Sequence, residues 1–141
     1  MNLKFTSYII LLNLLLSSVF LKAQQSFQDF KKEKTYIQTN HVFYKPGEEM
    51  YFKIYVVKGT DNLPAEDSKI VNFEIIDPGG SVLKKAKYEV INGYAQGYFS
   101  FTDDMKGGIY KIRAYTNWMQ NEDGKNAFEK EITLQKIVSP R

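Results

Sequence analysis

The chain has 141 residues, 43% hydrophobic, 15% aromatic and 25% charged, with a formal charge of +3. That length and balance suit one globular domain and exclude disordered and low-complexity classes. It has no cysteine and one histidine, His41, which leaves no disulfide framework, thiol nucleophile, iron–sulfur site, serine–histidine triad or multi-histidine metal centre.

The first 23 residues differ from the rest. Lys4 supplies a positive start, and residues 5–21 are apolar apart from Thr6, Ser7, Asn13, Ser17 and Ser18. Leu21-Lys22-Ala23 then puts a small residue ahead of Gln24 and Gln25. This is the layout of a secretory signal peptide, so export to the periplasm, cell surface or extracellular space is expected. The competing reading is a membrane anchor, because a 17-residue stretch is at the short limit of a span. Cleavage leaves no membrane span. It also removes Lys4 and Lys22 and no acid, so the charge falls from +3 to +1. The remaining basic clusters, Lys31-Lys32 with Lys34 and Lys84-Lys85 with Lys87, are too short for a nucleic-acid footprint.

From Glu33 onward, apolar residues alternate with period two, and no 3.6-residue pattern runs long enough for a helix. Residues 35–39 form the first expected strand, followed by a kink at Lys45-Pro46-Gly47. Met50, Phe52, Ile54 and Val56 line one face of the next strand, with Tyr51, Lys53, Tyr55 and Val57 on the other. Val71, Phe73 and Ile75 repeat the pattern until Asp77-Pro78-Gly79-Gly80 interrupts it with turn chemistry. Residues 81–90 read as the partner strand. Ala95, Gly97, Phe99 and Phe101 alternate ahead of Thr102-Asp103-Asp104, and Tyr110, Ile112 and Ala114 alternate after Gly107-Gly108. Phe128, Ile132 and Leu134 close the series.

Strands at this spacing, joined by glycine and proline turns, predict an all-β fold: an immunoglobulin-like antiparallel β-sandwich of about seven strands. Asp104 leads through Gly107-Gly108 into Tyr110, with core position Ile112 two residues on. That arrangement fits a tyrosine corner, whose hydroxyl bonds back to the turn before its strand, and fits a plain core aromatic equally. The expected organisation is a signal peptide over 1–23, a lead-in over 24–33, the sandwich over 34–137 and an exit linker over 138–141.

Tyr36-Ile37-Gln38-Thr39-Asn40, followed by Phe43-Tyr44-Lys45-Pro46-Gly47-Glu48, resembles the second-position macroglobulin domain of α2-macroglobulin-like proteins. Further matches are Tyr51-Phe52, Ile54-Tyr55-Val56, Asp77-Pro78-Gly79-Gly80, Gly97 with Phe99, Gly108-Ile109-Tyr110, Ile112-Arg113-Ala114-Tyr115 and Phe128-Glu129-Lys130. The turn residues have physical reasons of their own. Pro46 fixes φ and Gly47 accepts a positive φ, so the chain turns before the Met50 strand. Tyr44 is expected to plug one end of the sandwich and Glu48 to cap turn amides. Asp77 is expected to accept from amides two residues on, with Pro78 and Gly79 setting a hairpin turn.

The resemblance implies a non-catalytic building block of a large secreted endopeptidase inhibitor, whose partners are neighbouring domains and, through the parent, a protease. Such domains also occur in large bacterial surface proteins without inhibitor activity. A thioester needs a cysteine, which the chain lacks, and the 58–68 loop is too short for a protease bait.

Other chemistry is poorly supported. Asp103-Asp104 with Asp77 or Asp61 matches no calcium-loop spacing, so no metal and no cofactor is expected. Glu48 and Glu49 are adjacent and point to opposite faces, so they cannot flank one glycosidic bond. His41 reads as a loop residue. The aromatic residues are the better lead: Tyr51, Tyr55, Tyr94 and Tyr98 are expected to point outward, and Trp118 lies in a polar loop over 116–125. An outward tyrosine patch suits a partner domain or a sugar, which leaves a stand-alone carbohydrate-binding or adhesive sandwich as the alternative to the macroglobulin module.

Overall fold

The computed structural model describes residues 11–13, 16–17, 32–59, 61–121 and 127–136. Of the expected signal peptide only 11–13 and 16–17 fall within these, both helical. Its cleavage site, residues 24–31 of the lead-in and the exit linker over 138–141 lie outside the described residues. Among the described residues, no helix is long and apolar enough to cross a membrane.

The strands are β1 (Glu33–Thr39), β2 (Phe43–Tyr44), β3 (Glu49–Lys58), β4 (Ile70–Ile76), β5 (Val82–Glu89), β6 (Tyr94–Ser100), β7 (Gly108–Tyr115) and β8 (Phe128–Leu134). One short helix, α1 (Asn117–Asn121), precedes β8. The sheets run β1-β3-β6 and β2-β8-β7-β4-β5. They form an immunoglobulin-like sandwich with one more strand than the hydrophobic alternation predicts. That strand, β2, is two residues long, too short for any periodicity, and it pairs parallel to β8 inside an otherwise antiparallel fold. Glu33 opens β1 as a buried residue, although the lead-in was expected to include it.

Period-two alternation puts Met50, Phe52, Ile54 and Val56 of β3 against Val71, Phe73, Ile75 and Ile112 of the opposite sheet, all buried. Phe52 stacks on Phe73 at 4.2 Å and takes the edge of Tyr88 at 5.5 Å. Each such pair adds about 1 kcal/mol beyond its buried area. Gly97 faces this cluster from β6, and a Cβ there would stand 2.7 Å from Phe52 Cζ. Glycine makes room for the rings, so it serves the core by having no side chain.

Both β1 and β8 run from the pole that holds α1 toward the pole that holds the Pro46 turn. The start of β1 and the end of β8 therefore lie at opposite poles of the sandwich.

Candidate functional site: the tyrosine face of the three-stranded sheet

The outer face of the three-stranded sheet follows from strand register. Tyr36 on β1 stands opposite Tyr55 on β3, which stands opposite Tyr94 on β6. The next row is Gln38, Lys53 and Gln96, and the row after pairs Tyr51 with Tyr98. Directly paired residues of a ladder share a face, so five tyrosines gather on one surface. Ring centroids lie 6.4 Å apart for Tyr36–Tyr55 and 6.3 Å for Tyr51–Tyr98, and Tyr36 also meets Phe128 at 5.0 Å. Tyr51 and Tyr98 are 56% and 58% exposed, while Tyr55 and Tyr94 are half-buried.

Lys53 occupies the centre of this face. Its Nζ lies 3.9 Å from the centroid of Tyr94 and 5.1 Å from that of Tyr55. Among the described residues no carboxylate pairs with it. Cation–π contact leaves the ammonium reachable from solvent, unlike a bidentate ion pair. At one end of the face Tyr51 donates its hydroxyl to Glu49, and that bond to a carboxylate raises the phenol's pKa. The hydroxyl of Tyr55 donates to Gln38 Oε1 at 3.2 Å. This surface is aromatic and polar together, a composition enriched where proteins meet.

Sequence reasoning pointed to Tyr51, Tyr55, Tyr94 and Tyr98 and missed Tyr36. The signal was available: Thr35 and Ile37 alternate inward, which turns Tyr36 out. Trp118 is placed differently from expectation. It sits on α1 rather than in an open loop, 44% exposed. The helix forms because Thr116 caps it: its Oγ1 accepts from the amide of Met119 at 3.3 Å, and Met119 is buried beneath. Five residues are too few for a helical period to show. Residues 122–125 of that expected loop lie outside the described residues.

The turn cluster is structural. Pro46 and Gly47, φ +88°, occupy the centre of a turn closed by the Glu48 amide donating to Lys45 O at 3.1 Å. Glu48 Oε2 accepts from the Lys45 amide at 2.8 Å. Buried Tyr44 stacks on Phe101 at 4.9 Å and donates to Asn40 Oδ1 or the His41 carbonyl at 2.8 Å. In the Asp77 turn, Asp77 Oδ1 accepts from Ser81, four residues on rather than two. The loop is longer than a two-residue hairpin because Gly80, φ +85°, carries the positive φ. Buried Tyr110 donates to the Lys106 carbonyl at 2.7 Å, completing a tyrosine corner. Gly108, φ +140°, packs so close to Pro78 that a Cβ would lie 3.0 Å from its Cγ.

The outer face of the five-stranded sheet is different in kind. Glu74 is buried there at 3% exposure. Tyr115 donates to its Oε1 at 2.7 Å, Lys85 Nζ lies 3.1 Å from the same oxygen, and Arg113 holds Oε2 through Nε and Nη2. Burial pushes the Glu74 carboxyl up, but the bonds from Tyr115, Arg113 and Lys85 outweigh it and bring its pKa down to about 2. Arg113 also reaches Glu129 at 3.8 Å. Every charge in the cluster has a partner, so the arrangement holds structure and offers no reactive group. Among the described residues no three His, Cys, Asp or Glu side chains converge on a metal position, and Asp103 and Asp104 sit in the turn before β7.

The family model of the MG2 domain matches residues 34–131. Solved structures share the fold. Salmonella alpha-2-macroglobulin reacted with methylamine is 14% identical, with a TM-score of 0.63 over 76% of this chain and 6% of that one. Trypsin-activated alpha-2-macroglobulin from Escherichia coli is 16% identical, with a TM-score of 0.62 over 77% and 7%. The native conformation of the Escherichia coli protein gives 16%, 0.63, 81% and 7%. At such identities the likeness is one of fold, and the chain spans less than a tenth of the length of these proteins. A search of curated protein sequences returned no match. With the Pro46 turn, the tyrosine corner and all of the sandwich but the first residue of β1 and the last three of β8 inside the matched span, the chain belongs to the MG2 family of macroglobulin domains.

Proposed function

We propose that this MG2 domain is a non-catalytic structural module of a larger exported alpha-2-macroglobulin-like protein, docking onto a neighbouring domain through its tyrosine face. The observation that carries this reading is the face itself: five tyrosines around Lys53, a cation with no carboxylate partner among the described residues. An uncovered face of this kind leaves ring area and a desolvatable charge unused, whereas contact with a neighbour would bury both. Export rests on the leader pattern of residues 1–23, and a protease enters only as a partner of the full-length parent.

The test is tyrosine footprinting by nitration, comparing the isolated chain with the longest product of the gene. The outward Tyr36, Tyr51 and Tyr98 are expected to react in the isolated chain and to be protected in the longer protein. Equal reactivity in both would overturn docking by this face. The sugar-binding reading is separated by titrating glycans against Trp118 and tyrosine fluorescence, where a flat response across neutral and acidic oligosaccharides removes it.

A further inference from the structure

A sandwich of three strands on five has four sheet edges, and each exposed edge is a template for pairing unless something blunts it. Three of the four are blunted. Strand β1 is held against the opposite sheet by Thr35 Oγ1 donating to the Ala114 carbonyl at 2.7 Å and by Lys130 Nζ donating to Thr39 Oγ1 at 2.8 Å. Strand β2 is only two residues long. Strand β5 carries Lys84, Lys85 and Lys87, which would repel a copy of themselves. Strand β6, Tyr94-Ala95-Gln96-Gly97-Tyr98-Phe99-Ser100, has no charge and no proline, and it pairs with β3 without a register shift.

The ladder determines which backbone groups of β6 are unpaired. The Phe101 amide donates to Glu48 O, and the Val56 amide donates to Gly93 O. Hydrogen-bonded pairs alternate along an antiparallel ladder, so odd-numbered residues of β6 face β3 and even-numbered ones face outward. Tyr94 bonds Ile91 through both its amide and its carbonyl. Among the described residues the open edge is therefore Gln96, Tyr98 and Ser100, three residues symmetric about Tyr98.

We propose that this edge pairs with the same edge of a second copy, antiparallel about a two-fold axis at Tyr98. In that register Gln96 faces Ser100 of the other copy, Tyr98 faces Tyr98, and all three outward residues exchange both backbone bonds. On the inner side Gly97 falls opposite Phe99 of the other copy, and its own position is already filled by Phe52 and Tyr88. The paired positions of β6 carry no charge, and Lys84 of β5, whose Nζ lies 5.5 Å from the Phe99 ring, flanks the edge from the opposite sheet. The two three-stranded sheets become one six-stranded sheet, and their tyrosine faces become continuous. Isologous closure of this kind removes the edge from further growth and stops at a dimer.

Sedimentation velocity of the purified chain from micromolar to millimolar concentration tests this, with amide hydrogen exchange on the same samples. A monomer–dimer equilibrium is expected, with slowed exchange at Gln96, Tyr98 and Ser100 in the dimer. Tyr98→Lys, which places two cations face to face, should weaken the dimer about tenfold or more. Gln96→Pro removes an outward donor without altering the outer tyrosines, and such an edge position tolerates proline; it should weaken the dimer as well. Tyr51→Lys lies on the same face but on the central strand, and should leave dimerisation unchanged. A monomer at every concentration, a dimer unmoved by Gln96→Pro, or a dimer broken equally by Tyr51→Lys would each overturn the proposal.

Discussion

On the outer face of the five-stranded sheet Glu74 is enclosed by Arg113, Lys85 and Tyr115, whereas on the three-stranded sheet Lys53 lies between two tyrosine rings with no carboxylate partner among the described residues. Both faces carry outward residues of the same antiparallel alternation, so the backbone treats them alike. The difference lies in how charge is satisfied. A buried, fully bonded carboxylate is already neutralised and adds to the stability of the fold. An ammonium held by quadrupoles still has its strongest bonding capacity available. The first face stabilises the sandwich and the second is available for contact, which is why the docking surface is assigned to the tyrosines.

Removing charge from the five-stranded face should have the largest effect. Glu74→Leu leaves Lys85 without its carboxylate and Arg113 with only the longer contact to Glu129, and should destabilise the domain by about 3 kcal/mol, read as a shift in urea midpoint. A cost below about 1 kcal/mol would mean that the cluster does not act as a stabilising unit. The pH dependence follows from the same residue. Its folded pKa, about 2, lies below the ordinary carboxyl value of 4.5, so its contribution is present above pH 4.5 and is lost as pH falls toward 2. Thermal melts between pH 5 and 2 should show a slope that Glu74→Gln flattens.

Next in size is Met119→Ala. Met119 is buried under α1, and its removal should cost about 2–3 kcal/mol and release the helix that carries Trp118. Circular dichroism and tryptophan emission together would report both effects. Tyr110→Phe deletes only the hydrogen bond to Lys106 O and should cost about 1 kcal/mol. Smallest are the outward tyrosines: Tyr51→Ala or Tyr98→Ala should alter stability by about 0.5 kcal/mol while reducing any partner contact. If Tyr51→Ala proved as costly as Tyr110→Phe, the contrast between a stabilising and a contacting face would collapse.

How much of this was legible in the sequence varies by residue. The alternation at Met50–Val56 and Val71–Ile75 predicted both the strands and the inward face, because period two survives in any strand with one wet side. The Pro46 and Gly47 turn was legible because it relies on a local conformational constraint, whereas Tyr110 read equally as a corner or a core aromatic until its hydroxyl was seen to reach Lys106 O. Glu74 was not. It occupies an outward position, and period two assigns it to solvent. Its burial depends on Lys85 from β5 and on Arg113 and Tyr115 from β7, neighbours that only sheet order brings together. For the same reason the five tyrosines read as separate outward residues in the sequence and as one surface in the fold.

Composition and spacing thus determined the strand-rich class, the identity of the core faces, the turns that need glycine or proline and the lack of cysteine chemistry, since each depends on local geometry or on residue type alone. Tertiary structure decided the rest. Pairing across strands distant in sequence sets which charges neutralise one another, buries Glu74, gathers Tyr36 with Tyr94, and leaves β6 as an edge with no charge of its own. Those outcomes depend on register, which is a property of strand pairs, and no single strand contains it.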